Sequence, residues 1–257
     1  GTNNGGNLGV NATVNFQNNN TLKGAEILNV SFNRGLEAQT IFTNEEQREL
    51  WDGALPFNTL EFGPKVSLEV PRFLLPFASD KISQRGNPRT SFNASYNLQD
   101  RPDYRRNVYK TYINYNWNES VTKTHIIQPF DLSYIKLDPS QSFSEVLNNI
   151  QNPFLRNSYT DNFILALKYT FILNTQNSNK LKNHIYFRSN IETAGNLLAA
   201  TSNSWNDNTN EDGSKNIAGI RYAQYVRADI DFRYFQKFNW NKIVYRFASG
   251  IGLPYGN

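Results

Sequence analysis

Apolar and polar residues alternate one by one along most of this chain, and a two-residue period belongs to a β-strand rather than a helix. The clearest stretch is Leu60–Val70. Leu60, Phe62, Val66, Leu68 and Val70, with Pro64 among them, share one face, while Glu61, Gly63, Lys65, Ser67 and Glu69 share the other. All the charge sits on one side, so the two faces of this strand meet unlike environments. The pattern recurs. Leu8, Val10, Ala12, Val14 and Phe16 alternate with Gly9, Asn11, Thr13 and Asn15. Phe92, Ala94, Tyr96 and Leu98 alternate with Ser91, Asn93, Ser95, Asn97 and Gln99. Val226, Ala228, Ile230, Phe232 and Tyr234 face away from Arg227, Asp229, Asp231 and Arg233.

The alternation predicts ten strands, at 8–17, 24–38, 58–72, 89–99, 104–117, 122–137, 161–174, 183–195, 217–236 and 240–253. Most are longer than the five or six residues typical of soluble strands (about 17–20 Å). They match the roughly 9–11 residues of a tilted membrane-crossing strand. A hydrophobic content of 39% and negative mean hydropathy argue against a helical membrane protein. They do not argue against a barrel, whose strands are apolar only at alternate positions because the other face lines a polar lumen. The expected fold is therefore all-β: a transmembrane antiparallel up-and-down β-barrel.

The connections agree with a membrane orientation. With the first strand running downward, 39–57, 138–160 and 196–216 fall at one end and are long and polar, while 18–23, 118–121 and 237–239 fall at the other and are short. Outer-membrane barrels put long loops outside and short turns in the periplasm. Residues 73–88 and the short turn Asp100–Asp103 run against that rule. Two short helices are expected within the long outer loops, Thr43–Trp51 behind a Thr43/Glu46 capping box and Ser142–Ile150 ahead of Pro153.

Composition removes several functions. There is no Cys, and no Met, and no leader sequence opens the chain, so it reads as a mature or excised segment. The net charge of +4 is scattered, without the basic run of a nucleic-acid-binding protein. His125 and His184 lack metal-ligand spacing and read as polar wall or rim residues. Gly-x-Ser-x-Gly is absent, and the Gly5-Gly6-Asn7-Leu8-Gly9 stretch lacks the Lys-Ser/Thr of a phosphate loop. No enzymatic activity, cofactor or metal is expected.

Several segments carry a family resemblance. They are Gly5-Gly6-Asn7-Leu8-Gly9-Val10, Asn20-Thr21-Leu22-Lys23-Gly24-Ala25-Glu26, Asn87-Pro88-Arg89-Thr90-Ser91 with Gln99-Asp100-Arg101-Pro102-Asp103-Tyr104, Gln128-Pro129-Phe130-Asp131-Leu132, and Gly250-Ile251-Gly252-Leu253-Pro254-Tyr255-Gly256-Asn257. In this order the chain resembles the barrel of the BamA/TamA superfamily, specifically the TamA-like (TamL) barrels of Bacteroidetes. The resemblance implies a sixteen-stranded barrel, preceded by POTRA domains, that inserts other proteins into the outer membrane. Residues 1–257 would form a single partial barrel domain, from the end of strand 1 to strand 11, without the POTRA domains or the C-terminal strands. The missing strands would belong to a longer protein or to a second chain. Expected partners are outer-membrane lipids and lipopolysaccharide, nascent outer-membrane proteins, and a periplasm-spanning TamB-like protein or other envelope subunits. Nucleic acid is not among them. The alternatives are a passive porin-like or transporter barrel, or a structural subunit of a larger envelope complex.

Two candidate sites follow. The row Arg227, Asp229, Asp231 and Arg233, with Arg246 in the next strand, lies on the polar face. It is either an ion-pair lattice that fixes the strands or a docking surface for an inward-folded loop whose arginine needs acidic partners. Gly5, Gly6 and Gly9 are placed to weaken a lateral seam at the first strand. The aromatics Tyr109, Tyr112, Tyr115, Trp117, Tyr222, Tyr225, Phe235, Phe238 and Trp240 are expected to form interfacial girdles.

Overall fold

The computed structural model describes residues 8–38, 57–74, 86–150, 159–176, 183–201, 215–217 and 219–255. Its strands are β1 (Leu8–Asn18), β2 (Ile27–Ala38), β3 (Thr59–Val70), β4 (Arg89–Asp100), β5 (Tyr104–Asn118), β6 (Lys123–Pro139), β7 (Asn162–Asn174), β8 (His184–Ala194), β9 (Asn216–Ile217), β10 (Ile220–Arg221), β11 (Tyr225–Lys237) and β12 (Lys242–Pro254). The ten long ones form a single sheet in the order β1-β2-β3-β4-β5-β6-β7-β8-β11-β12, and β9 and β10 form a separate two-stranded ribbon. Every neighbouring pair is antiparallel. The sheet is a meander, so successive connections alternate between its two ends. The long connections 39–58, 140–161 and 195–224 share one end with the short turn 101–103. The turns 19–26, 119–122 and 238–241 share the other. Among the described residues no helix is long and apolar enough to cross a membrane.

One expected strand is corrected. The stretch 217–236 is not continuous: Gly219, at φ +79°, turns the chain between β9 and β10. Tyr222 then bridges Phe163 in parallel, and the Ala223 N–H donates to the Phe163 carbonyl, so the wall strand begins only at Tyr225. Alternation cannot detect such a detour, because ribbon and wall are both extended. Similarly β2 begins at Ile27, not at 24. Lys23 and Ala25 have φ of 66° and 63° and so cannot join a strand. The expected helix at Ser142–Ile150 is observed as Gln141–Asn149, its Phe143 amide donating to the Ser140 side chain. The one expected at Thr43–Trp51 lies outside the described residues.

Registers join the alternations into two continuous faces. Val10 lies opposite Leu36, and Leu36 opposite Leu60. Phe92 meets Ile113, and Ile113 meets Phe130. Tyr169 meets Ile191, Ile191 meets Ala228, and Ala228 meets Ile251. Among the described residues the apolar face is largely uncovered even on interior strands: Tyr109 is 47% exposed, Leu167 49% and Ile191 51%. Arg34, between Ala12 and Phe62, is the charged residue set well inside this face, and its exposed side chain is long enough to carry its charge along the wall. Asp100, Arg105, Lys136 and Asp138 share its parity only at the long-loop rim, and Lys123 only at the other.

Strand β6 changes phase midway. Ile113 pairs with Phe130 but Tyr115 with Ile127, and on the other edge Asp131 pairs with Ala166 but Gln128 with Lys168. Both edges therefore place one extra residue in β6, at Pro129. Proline has no N–H to give the ladder, so a bulge is where a central strand tolerates it. The bulge keeps His125 and Ile127 on the same face as Phe130, Leu132 and Tyr134, which an unbroken alternation would not do.

Aromatic rings mark two levels of the apolar face. Nearer the long-loop end, Phe32, Phe62, Tyr96, Tyr109 and Tyr134 touch in series across β2 to β6, with centroids 4.9–6.4 Å apart. Nearer the other end, Phe73 packs on Tyr115 and Trp117, Trp117 stacks on His125, and His125 meets Phe171, which meets Phe187. Phe73 reaches this level because residues 72–74 fold over the wall. Thr90 donates to the Arg72 carbonyl, the Leu74 amide donates to Thr90, and Tyr115 donates to the Leu74 carbonyl.

Candidate functional site

The polar face carries most of the charged side chains of the strands, and register brings them together. At its centre is Asp131, placed by the bulge and only 2% exposed. Its Oδ2 lies 2.8 Å from Lys168 Nζ on β7 and 3.5 Å from Lys110 Nζ on β5. These contacts are charge–charge, since neither carboxylate oxygen accepts a hydrogen bond of good angle among the described residues. Lys168 is also 3.6 Å from Glu192 Oε2 on β8, and Glu192 accepts a hydrogen bond from the Tyr225 hydroxyl on β11. Opposite charges thus alternate across four adjacent strands, β5 to β8, and the Tyr225 hydroxyl extends the row to β11. Asn190 continues the row: it accepts from Thr170 at 2.7 Å and donates to Asp229 at 2.6 Å.

The expected row lies on this face. Asp231 is the hub. Arg233 and Arg246 each approach it through Nε and Nη2, with Nη2 distances of 2.7 and 2.8 Å. The Arg233 guanidinium also lies over the Tyr186 ring, 5.3 Å from its centroid. Arg227 is 4.0 Å from Asp229. Gly9 is in β1, where an added β-carbon would come 3.2 Å from the Leu36 carbonyl oxygen. Gly5 and Gly6 lie outside the described residues.

Asp131, Lys110, Lys168 and Glu192 escaped the sequence reading, as did Arg188, the register partner of Asp231 on β8. Their partners lie on other strands, so only the strand-to-strand register reveals the cluster. The phase shift at Pro129 further hid which face Asp131 takes.

The aromatics divide by parity. Tyr109, Tyr115 and Trp117 are on the apolar face as expected, but Tyr112, Tyr225 and Phe235 fall on the polar face. Tyr222 is 2% exposed beside β7, and Trp240, at 98%, projects from a turn. These corrections have one cause: proximity to a strand end does not fix a face, whereas odd or even position does.

The histidines also separate. His125 sits at the rim of the apolar face, with Nδ1 2.8 Å from the Tyr169 hydroxyl and Nε2 3.0 Å from Glu119. His184 stacks on Phe235, on the polar face. Among the described residues no group of His, Cys, Asp and Glu could hold a metal ion. In the turn after β5, hydrogen bonds from His125 and then Lys123 hold the Glu119 carboxyl below its usual range. In the turn after β1, backbone amides, its own and that of Gly24, do the same for Glu26.

At the long-loop end a small apolar cluster covers the polar face. Phe143 and Leu147 of the helix are buried, and Phe143 packs on Tyr104 and Tyr159. Tyr104 shares the polar-face parity of Arg106 and Leu137, so the helix lies over the polar side of the sheet. No protein-family model, curated protein or solved structure matches the chain.

Proposed function

We propose that the sheet is the greater part of a transmembrane β-barrel in a bacterial outer membrane, and that the protein is an insertase that assembles or translocates other outer-membrane proteins. One observation supports the barrel above all. Ten antiparallel strands of 11 to 17 residues share an uncovered apolar face with aromatic rings at two levels, backed by a charged and hydrogen-bonded face. In water such an apolar face would be an aggregation surface. In a bilayer it is the lipid contact, and the aromatic levels are the two interfaces. On β5, Tyr109 and Trp117 are about 26 Å apart along the strand, or about 20 Å in height at a tilt of about 40°. That approaches the roughly 25 Å apolar band of outer-membrane barrels.

The insertase reading rests on the resemblance to BamA/TamA barrels and on strand-edge chemistry. Unpaired N–H and C=O groups of an incoming strand cost several kcal/mol each in lipid, and an openable seam could pair them by strand addition. This mechanism makes and breaks no covalent bond. The passive-channel alternative draws on the polar face, but the helix Gln141–Asn149 over that face weighs against a wide pore.

Depletion in the source bacterium tests the function. Several other outer-membrane barrels should fall in abundance while their precursors accumulate with periplasmic chaperones, both read by quantitative mass spectrometry. Normal assembly of every barrel would sink the insertase reading and leave the membrane reading standing.

A further inference from the structure

We propose that the arginine-rich wall formed by β8, β11 and β12 docks an extended, acidic polypeptide segment lying across the polar face. Arg233 and Arg246 are direct register partners, and Arg188 is the partner of Asp231. Like charges placed opposite each other repel. Here Asp231 offsets one such pair, and Asp229 is shared between Arg227 and Asn190. Both aspartates are therefore engaged, and on the polar face of these three strands Arg188, Arg227, Arg233, Arg246, Lys237 and Lys242 outnumber Asp229, Asp231 and Glu192, the register partner of Arg227, so the surplus is positive. The Arg227 and Arg246 side chains are still 63% and 58% exposed. The wall thus has the opposite sign to that needed for an incoming arginine: it would repel one and attract carboxylates.

Shape points the same way. Gly252 lies opposite Arg227 and Gly250 opposite Asp229. A β-carbon at Gly252 would meet nothing within 4 Å. The wall is bare beside its most exposed arginine, where another backbone can approach closely. From Arg227 to Arg233 the row runs about 20 Å, and same-face positions recur about every 6.6 Å. An extended chain with carboxylates at alternate residues has that same repeat, and planar guanidinium groups suit carboxylates. A single small anion would engage only one end.

The inference rests on the barrel reading, which flotation of the full-length protein with lipid vesicles tests separately. The docking test uses the full-length protein in lipid nanodiscs and a fluorescently labelled hexa-aspartate peptide, read by anisotropy. The peptide should bind, more weakly as salt rises, and hexa-lysine should not. R227Q combined with R246Q should weaken binding roughly tenfold, the loss expected for two partly exposed ion pairs. Gly252→Val, which leaves the charge unchanged, should also weaken it, and Arg246→Lys should retain most of it. Heat-modifiable migration on gels confirms that each variant is folded. Equal binding of hexa-lysine, no loss in the double variant or in Gly252→Val, or competition by inorganic phosphate at equal charge would overturn the proposal, the last by showing a simple anion site.

Discussion

The turn between β1 and β2 shows how much a single residue decides. Ala25 occupies the left-handed region at φ 63°, which costs an L-residue about 1–2 kcal/mol. Its side chain is exposed, so removing it loses no packing. Ala25→Gly should therefore stabilise the fold by about 0.5–1 kcal/mol, read as a higher urea midpoint in vesicles. Glu26 and Glu119 give the turns a pH dependence. Both are held below the ordinary carboxylate range in the folded state. The unfolded chain therefore takes up protons first as pH falls. The stability they contribute is fully present above the ordinary carboxylate pKa and is lost as pH drops through the lower folded value. Glu119→Gln should flatten the acid limb of an unfolding-versus-pH curve and leave the neutral limb's shape unchanged. On the polar face, Lys168→Met would leave the Asp131 carboxylate with Lys110 alone, 3.5 Å away. A loss of about 1–3 kcal/mol is expected. Adding Asp131→Asn should recover part of it, because the buried charge is then gone.

Among the elements, β6 depends on its bulge. Deleting Pro129 removes the extra residue and forces one half of the strand to turn its side chains to the wrong face. Either Asp131 would move to the apolar face, or His125 and Ile127 would leave it. The deletion should abolish the heat-modifiable folded form. Pro129→Ala keeps the residue count and should stay folded. If the deletion folds as well as the substitution, the bulge does not set the phase. This element also marks a boundary of what could be read in advance. The span 122–137 was legible from its extended, β-rich residues. Its face assignment was not, because alternation fails within Gln128-Pro129-Phe130-Asp131 and only pairing to β5 and β7 shows where the extra residue sits.

At the scale of the whole molecule, the two faces make the strongest prediction. Val66 and Ser67 are neighbours in β3 on opposite faces, with Val66 44% exposed on the apolar one. If that face meets hydrocarbon, Val66→Arg should cost about 2–4 kcal/mol in a bilayer. Ser67→Arg, facing the polar side, should change stability by less than about 0.5 kcal/mol. Equal tolerance of the two, measured by unfolding from vesicles, would count against the membrane reading.

The amino-acid order alone determined the ten long strands of the sheet and their two-faced character, though not the β9–β10 ribbon. A side chain's face in a strand depends only on odd or even position, and that is written locally. It also exposed the row from Arg227 to Arg233, since four alternating charges in one strand need no partner to be seen. What only the tertiary structure decided was everything that depends on register. The Asp131–Lys168–Glu192 chain spans three strands, and no local pattern says which residues of separate strands will be neighbours. The detour at Tyr222–Gln224 was invisible for the same reason: a hydrogen bond to Phe163, far away in the chain, ends one extended segment and starts another. Register is a property of pairs, fixed by turns, bulges and packing together, so a one-dimensional pattern gives the faces but not who meets whom on them.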